Sequence, residues 1–335
     1  MDRERRFSTG VAHVDEAVDR ALAALDATLP GRLHSVYLFG SYAEGSAVST
    51  SDLDLFVVLR GTADLGESAR ASTVAADAIG HGSPQPDVLV LEEASLLGEG
   101  HFRLETASTL VAGEDLRDRL PRTSPAAWLR RYTHAPWAYM AQVLRQVDRL
   151  TYPLDYPDPA GEFLGYDARM LPPHGGPAHN VKSLVATVCW IASVLTTIES
   201  GRLARTKAEG VGLHRADVGG AWAGFVEDVY RWGKERWSYL APRRQDERAR
   251  LRDLCVRTLA FENHYLVRYR GYLLGEARGA DRTGRLLAAE RLGNWVRYPG
   301  DRAVSDVLEE LAMSGDDEIA AAARAGLEGQ AQGQV

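Results

Sequence analysis

The chain has 335 residues, 45% of them apolar and 25% charged, with a formal net charge of −7 and a sequence pI near 5.8. This is the composition of a globular protein, and the acidic balance argues against a long nucleic-acid partner, which would favour a basic face. The longest apolar stretch, Val185 to Ile198, falls short of a membrane span and carries Thr, Ser and Trp, so no membrane association is expected.

The charged start, Met1-Asp2-Arg3-Glu4-Arg5-Arg6, lacks the apolar core of a signal peptide. The two cysteines, Cys189 and Cys255, fit buried thiols and offer neither a disulfide framework nor a zinc pattern. A cytoplasmic location follows as an expectation. The length suggests two domains with a small appendage. Helical periodicity runs over 11–28, where Val11, Val14, Val18, Leu22 and Leu25 share a face. Pro30-Gly31 ends it. A first strand is expected over 35–39 and a second over 53–59, joined by a glycine- and serine-rich turn from Gly40 to Ser51. A helix is expected within 61–79, then the breaker cluster Gly80-His81-Gly82-Ser83-Pro84, a third strand over 87–91, a helix over 102–110, and a short closing strand and turn near 108–116.

The segment Leu38 to Val58 carries the chemistry. Asp52-Leu53-Asp54 opens the second strand. Side chains two apart on a strand share a face and lie roughly 7 Å apart along it, which groups Asp52 with Asp54. Neighbouring carboxylates resist joint ionisation, and a divalent cation relieves that conflict. Mg²⁺ takes hard oxygen ligands, commonly one or two carboxylates with phosphate oxygens. Gly40 admits close backbone approach to a phosphate, and Ser41 offers a hydroxyl and an N–H to the same group.

Gly40-Ser41 followed ten residues later by Asp52-Leu53-Asp54 resembles the signature of the DNA polymerase β-like nucleotidyltransferase superfamily. The resemblance implies a third carboxylate on a neighbouring strand, and Asp87 in Pro86-Asp87-Val88-Leu89-Val90-Leu91 matches it. It implies an α+β fold in which a small mixed-sheet nucleotidyltransferase core, residues 1–121, precedes an all-helical domain.

Beyond Pro121 helical periods dominate. Ser124-Pro125 reads as an N-cap with Pro at the first helical position, opening a helix to about 150. An irregular segment rich in Pro, Gly and Tyr covers 151–178 and is expected to be functional or mobile. Helices are expected at about 179–199, 217–240 and 246–274. Residues 122–278 then form a helical substrate-binding domain. Residues 279–335 form a helical tail with a HEAT-like helix pair and a disordered end from Gly329.

A nucleotidyltransferase core joined to a helical domain resembles the streptomycin/spectinomycin-type aminoglycoside adenylyltransferases, over roughly 10–275. The match is weaker in Asn180-Val181-Lys182-Ser183-Leu184-Val185, Ile198-Glu199-Ser200-Gly201-Arg202-Leu203 and Thr206-Lys207. That resemblance implies a lysine near the nucleotide phosphates, here Lys207; a solvated lysine after a helix is the other reading. The implied reaction moves AMP from ATP to a hydroxyl of a small molecule, an antibiotic or metabolite. Gly40 and Ser41 would lie against the phosphates, Asp52, Asp54 and Asp87 would hold two Mg²⁺ ions, and Ser51 would orient Asp52. For the general base the candidates are Glu105, Glu92 and Glu93, with Asp87 as an aid to deprotonation. His174 and His179 flank the long loop and could touch substrate. An AMPylating transferase or antitoxin acting on a protein is the alternative. RNA tailing fits the acidic balance poorly, and a non-catalytic sensor has no use for three acids.

Overall fold

Seven consecutive buried residues, Leu33–Phe39, form β1. A strand apolar on both sides must be covered on both faces, and the flanking sequence supplies the covers. In the computed structural model, which describes residues 6–80, 82, 84–167, 169–170 and 178–331, β1 is central in a four-stranded sheet of order β3-β2-β1-β4. It pairs antiparallel with β2 (Leu53–Leu59) and with β4 (Ser108–Gly113). β2 pairs in parallel with β3 (Pro86–Glu92). α1 (Ala12–Thr28) precedes β1, the single helical turn α2 (Gly40–Ala43) lies between β1 and β2, and α3 (Leu65–Ile79) lies between β2 and β3. The parallel pair requires a crossover, and α3 provides it. Two short helices follow β3: α4 (Glu93–Glu99) and α5 (Phe102–Thr106).

The two-residue period of the strands sorts the core into two layers. Leu53, Leu55, Val57 and Leu59 join Leu33, Val36 and Leu38 beneath α1 and α3. Phe56 and Val58 join Tyr37, Phe39, Leu96 and Leu104 on the opposite face. The two acid-bearing strands therefore have one face fully covered and one face that opens at its end.

The chain divides into two units: Met1–Ser124 with Met170–Ala178, and Pro125–Arg169 with His179–Val335. The second unit is mainly helical. It contains α6 (Pro125–Tyr132), α7 (Ala135–Ala138), α8 (Lys182–Ser200), α9 (Lys207–Leu213), α10 (Ala223–Tyr230), α11 (Gln245–Arg278), α12 (Arg282–Arg291), α13 (Arg302–Ala312) and α14 (Asp317–Ala331). α8 is long and apolar enough to cross a membrane by length and composition, but 72% of its most apolar window is buried inside this unit. It is the core helix of the unit, longer than the apolar run alone suggested.

Two expected helices are interrupted. The one expected from Pro125 to about 150 breaks at Thr133-His134. Pro136 then restarts it, as suits a residue with no N–H to give. A π-helical stretch over Tyr139–Arg145 follows and ends at Gln146 in the left-handed region. The one expected over 217–240 is split by Gly219 and Gly220, both with positive φ, and by a π-helical stretch over Arg231–Arg236. The tail helices α12 to α14 pack within the helical unit: α12 lies against α11, and α13 against α14. α14 runs through Gly329 to Ala331, with the Gly329 carbonyl accepting from Arg149 Nη1 at 3.1 Å. Within 151–178, residues 168 and 171–177, including His174, lie outside the described residues.

One buried ion pair ties the π-helical stretch after α7 to α11. Glu262 is fully buried and accepts from Arg145 Nη2 at 2.7 Å and from the Tyr166 hydroxyl at 2.8 Å. Arg145 also donates to the Asp155 carbonyl at 2.8 Å, and Asn263 Oδ1 accepts from the Leu154 N–H at 2.7 Å. Removing one partner strands a charge in the interior. Arg145→Met is expected to destabilise the helical unit by about 3–5 kcal/mol, and Arg145→Met/Glu262→Met to recover much of that loss. Urea unfolding followed by tryptophan fluorescence checks this, because all seven tryptophans lie between Trp128 and Trp295 in this unit.

Two buried histidines set a pH dependence for the same unit. Burial pushes His134 and His214 down to about 4, with Arg291 adding to the effect on His134 and His264 to that on His214. An unfolded chain binds protons at these rings below its ordinary value of 6.5, whereas the folded chain stays neutral until about 4. The unfolded state therefore binds more protons in that window, and stability falls as pH drops from 6.5 towards 4. The urea midpoint is expected to fall between pH 7 and pH 5, and to fall less steeply in His214→Phe.

Candidate active site

The parallel pairing of β2 and β3 places Asp54 directly opposite Asp87. Side chains of residues opposed on neighbouring strands point to one face, with strands roughly 4.8 Å apart. That face is the one bearing Phe56, since Asp54 and Phe56 are two apart. Phe39, opposite Asp54 on β1, stacks on Phe56 with ring centroids 3.9 Å apart, and His101 meets Phe56 edge-on at 4.9 Å. A stacked aromatic floor thus stops where the carboxylates begin. Asp87 is exposed and Asp54 half-buried.

Gly40 follows Phe39 and opens α2 with φ of 67°. A Cβ there would overlap Oδ2 of Asp54. The carboxylate therefore lies directly against the Gly40 α-carbon, and both conformation and space require glycine. The turn beyond is stitched by Glu44 N–H to Gly40 O at 3.0 Å and Ser46 N–H to Ser41 O at 2.9 Å. Burial, with Asp52's charge adding to it, raises the pKa of the half-buried Tyr42 phenol, which places Tyr42 of α2 beside Asp52. Asp52 directly precedes β2, whose ladder begins with Leu53 N–H to Gln85 O at 2.8 Å.

Ser51 is buried, and its hydroxyl accepts the Val48 N–H at 2.9 Å while its own N–H donates to Val48 O. Its visible role is to close the 48–51 turn that delivers Asp52. Glu105 lies on α5, with its N–H bonded to His101 O at 2.9 Å. It is three residues before Ser108, which pairs with Phe39 next to Gly40, so it belongs to the carboxylate end of the sheet. Glu92 and Glu93 do not. Five residues along β3 from Asp87, Glu92 is about 16 Å away. Glu93 accepts from the Gly61 N–H at 3.1 Å and lies 3.5 Å from buried His34. The strand geometry removes both from the base candidates.

In the helical unit, Lys207 is the first residue of α9, after Thr206 caps it by accepting from the Glu209 N–H at 3.1 Å. Its ammonium lies 5.9 Å from the centre of the Tyr239 ring, and that of Lys182 lies 6.0 Å from the same ring. Two cations on one aromatic form a locally basic patch. The sequence pointed to Lys207; it did not single out Lys182 or Tyr239, which lie 25 positions before it and 32 after it. His179 Nδ1 lies within hydrogen-bond distance of Asp167 Oδ2, at 2.6 Å. Trp128, Tyr132 and Trp190 gather in one cluster, with centroids 5.4 to 6.4 Å apart.

Among the described residues no three His, Cys, Asp or Glu side chains form a ready-made metal-holding group. The donors nonetheless suit a hard cation: Asp54 and Asp87 are adjacent carboxylates at an open strand end, with Asp52 two residues away. Mg²⁺ commonly needs no more than one or two protein carboxylates, taking the rest of its shell from phosphate and water.

No curated protein matches the chain. Residues 20–96, spanning β1, the Gly40 turn, β2 and β3, match the family model described as a nucleotidyltransferase domain; they lie in the mixed-sheet core that precedes the mostly helical region.

Proposed function

We propose that the chain is a Mg²⁺-dependent adenylyltransferase that moves AMP from ATP to a hydroxyl of a small molecule, an aminoglycoside-like antibiotic or a related metabolite. The observation that carries the reading is the pairing of Asp54 with Asp87, with the Asp54 carboxylate held against Gly40. Two carboxylates arranged side by side at an open strand end are costly as a pair of anions and useful as cation ligands. The resemblance of the arrangement, a nucleotidyltransferase core joined to a helical domain, to the streptomycin/spectinomycin-type adenylyltransferases supports the small acceptor. The domains would divide the work, with 1–121 carrying the nucleotidyl chemistry, 122–278 the acceptor and 279–335 bracing the helical domain.

Asp52, Asp54 and Asp87 would hold the metal, with two ions expected. When bound, Mg²⁺ supplies Lewis-acid stabilisation of charge on the triphosphate. The residues do the rest. Gly40 lets the chain approach the phosphates, Ser41 offers its hydroxyl, and Ser51 fixes the turn that presents Asp52. Lys207 would be the lysine that the resemblance to the adenylyltransferases assigns to the nucleotide. The acceptor hydroxyl gives its proton to a carboxylate, Asp87 or Glu105, as its oxygen forms the bond to the α-phosphorus and pyrophosphate leaves.

Pyrophosphate release from ATP is the test. It is expected only with the right acceptor from an aminoglycoside and lincosamide panel, to stop with a chelator and to resume with Mg²⁺. Asp54→Asn and Asp87→Asn are each expected to lower it roughly a thousandfold without unfolding the chain. An AMP adduct on a co-purified protein, with no release from the whole panel, would point to the protein-modifying alternative instead.

Gly40→Ala adds one methyl group and should act almost as strongly. It forces a side chain into positive φ and displaces the Asp54 carboxylate. About a hundredfold loss of turnover is expected from such a displacement, measured with circular dichroism as the check on folding.

A further inference from the structure

α5 is only five residues long, and a helix of that length is not stable by itself. Side chains hold it in place. At its start the His101 ring is the N-cap, and its Nδ1 accepts the Leu104 N–H at 3.2 Å. At its end the Thr106 hydroxyl donates to the Phe102 carbonyl at 2.7 Å, and the Ser108 hydroxyl donates to the Leu104 carbonyl. Phe102 and Leu104 are buried, and Leu104 belongs to the layer that contains Phe56.

Ser, Thr, Asp and Asn are the usual residues at an N-cap. Each could accept the Leu104 N–H, but none carries the ring that His101 puts to a second use. His101 is 8% exposed, and its imidazole meets Phe56 edge-on at 4.9 Å. Phe56 stacks on Phe39 at 3.9 Å, and Phe39 is joined directly to Gly40. One side chain thus ties the start of α5 to the ring stack that ends at the Gly40 turn.

Glu105 comes one turn after His101. Its N–H donates to the His101 carbonyl at 2.9 Å. Residues four apart lie on one side of a helix, so the half-buried Glu105 rises from the part of α5 that His101 fixes. Beyond α5, Ser108 opens β4 and pairs with Phe39. Both ends of the helix are therefore anchored on Phe39, the start through the rings and the end through the ladder.

We propose that His101 is a positioning residue for nucleotidyl transfer: it holds α5 so that the Glu105 carboxylate stands at the Asp54–Asp87 end of the sheet and takes the proton of the acceptor hydroxyl. The inference rests on the nucleotidyl-transfer reading and assigns the general base within it to Glu105. His101 acts through Glu105 and not on the substrate. A general base must lie within hydrogen-bond reach of the proton it removes, so a displacement of about 1 Å is enough to slow the step.

The test measures pyrophosphate release and amide exchange in variants of the full chain. Glu105→Gln is expected to lower kcat by roughly a hundredfold. His101→Phe keeps a ring against Phe56 and removes the acceptor; kcat should fall about tenfold with the KM for ATP unchanged. His101→Asn restores an acceptor for the Leu104 N–H and should recover most of that loss. His101→Phe/Glu105→Gln should be no slower than Glu105→Gln, because the first change acts through the second residue. Exchange at the Leu104 and Glu105 amides, which needs no turnover, should rise in His101→Phe and return in His101→Asn. The proposal is overturned if Glu105→Gln keeps full turnover, if His101→Asn is as slow as His101→Phe, if the two losses multiply in the double variant, or if amide exchange is unchanged in His101→Phe. Absence of pyrophosphate release by the unaltered chain with every acceptor is a different failure: it removes the nucleotidyl-transfer reading, and the role of Glu105 falls with it.

Discussion

The parallel ladder between β2 and β3 is the constraint from which the catalytic end of the molecule follows. It sets Asp54 opposite Asp87, and a slip of one residue would turn Asp87 to the covered face of the sheet. That register is enforced by burial. Leu53, Leu55 and Val57 sink into the layer beneath α1 and α3, and Val88 and Val90 pack against the same layer. The apolar residues fix which way the acids point. The cost of holding two carboxylates together is borne by a sheet whose stability lies mostly on its other face.

Much of this was legible in the sequence because it is local. Strand period, breaker clusters and the Gly40-to-Asp54 spacing each involve fewer than twenty residues, and they fixed β1, β2, β3 and the carboxylates on them. The third acid needed a partner 33 positions away, and only the resemblance supplied it; the ladder then gave it a physical basis. The same ladder removed Glu92 and Glu93, because it sets Asp87 beside Asp54 at one end of the strand pair and Glu92 opposite Leu59 at the other.

The helical unit was read less well, for identifiable reasons. Periodicity registers a helix but not its interruption. The break at Thr133 is followed by a restart at Pro136 and a π-helical stretch, and the break after His214 falls at Gly219 and Gly220. The Arg145–Glu262 pair spans 117 residues and the Arg291–Thr133 hydrogen bond joins residues 158 apart. No window of sequence contains either. Lys182 and Tyr239 beside Lys207 were hidden for the same reason.

The two buried arginines show that burial of charge has more than one solution in this fold. Arg145 is neutralised by Glu262 and assisted by Tyr166, so its charge is balanced within the chain and its donors are largely spent. Arg291 is placed on an indole, given two long hydrogen bonds and left with Nε unused. If packing alone had dictated its presence, an unbranched apolar side chain on Trp295 would serve with no desolvation penalty. The guanidinium is kept instead by its place on the Trp295 ring and by a side-chain hydrogen bond with the Tyr269 hydroxyl.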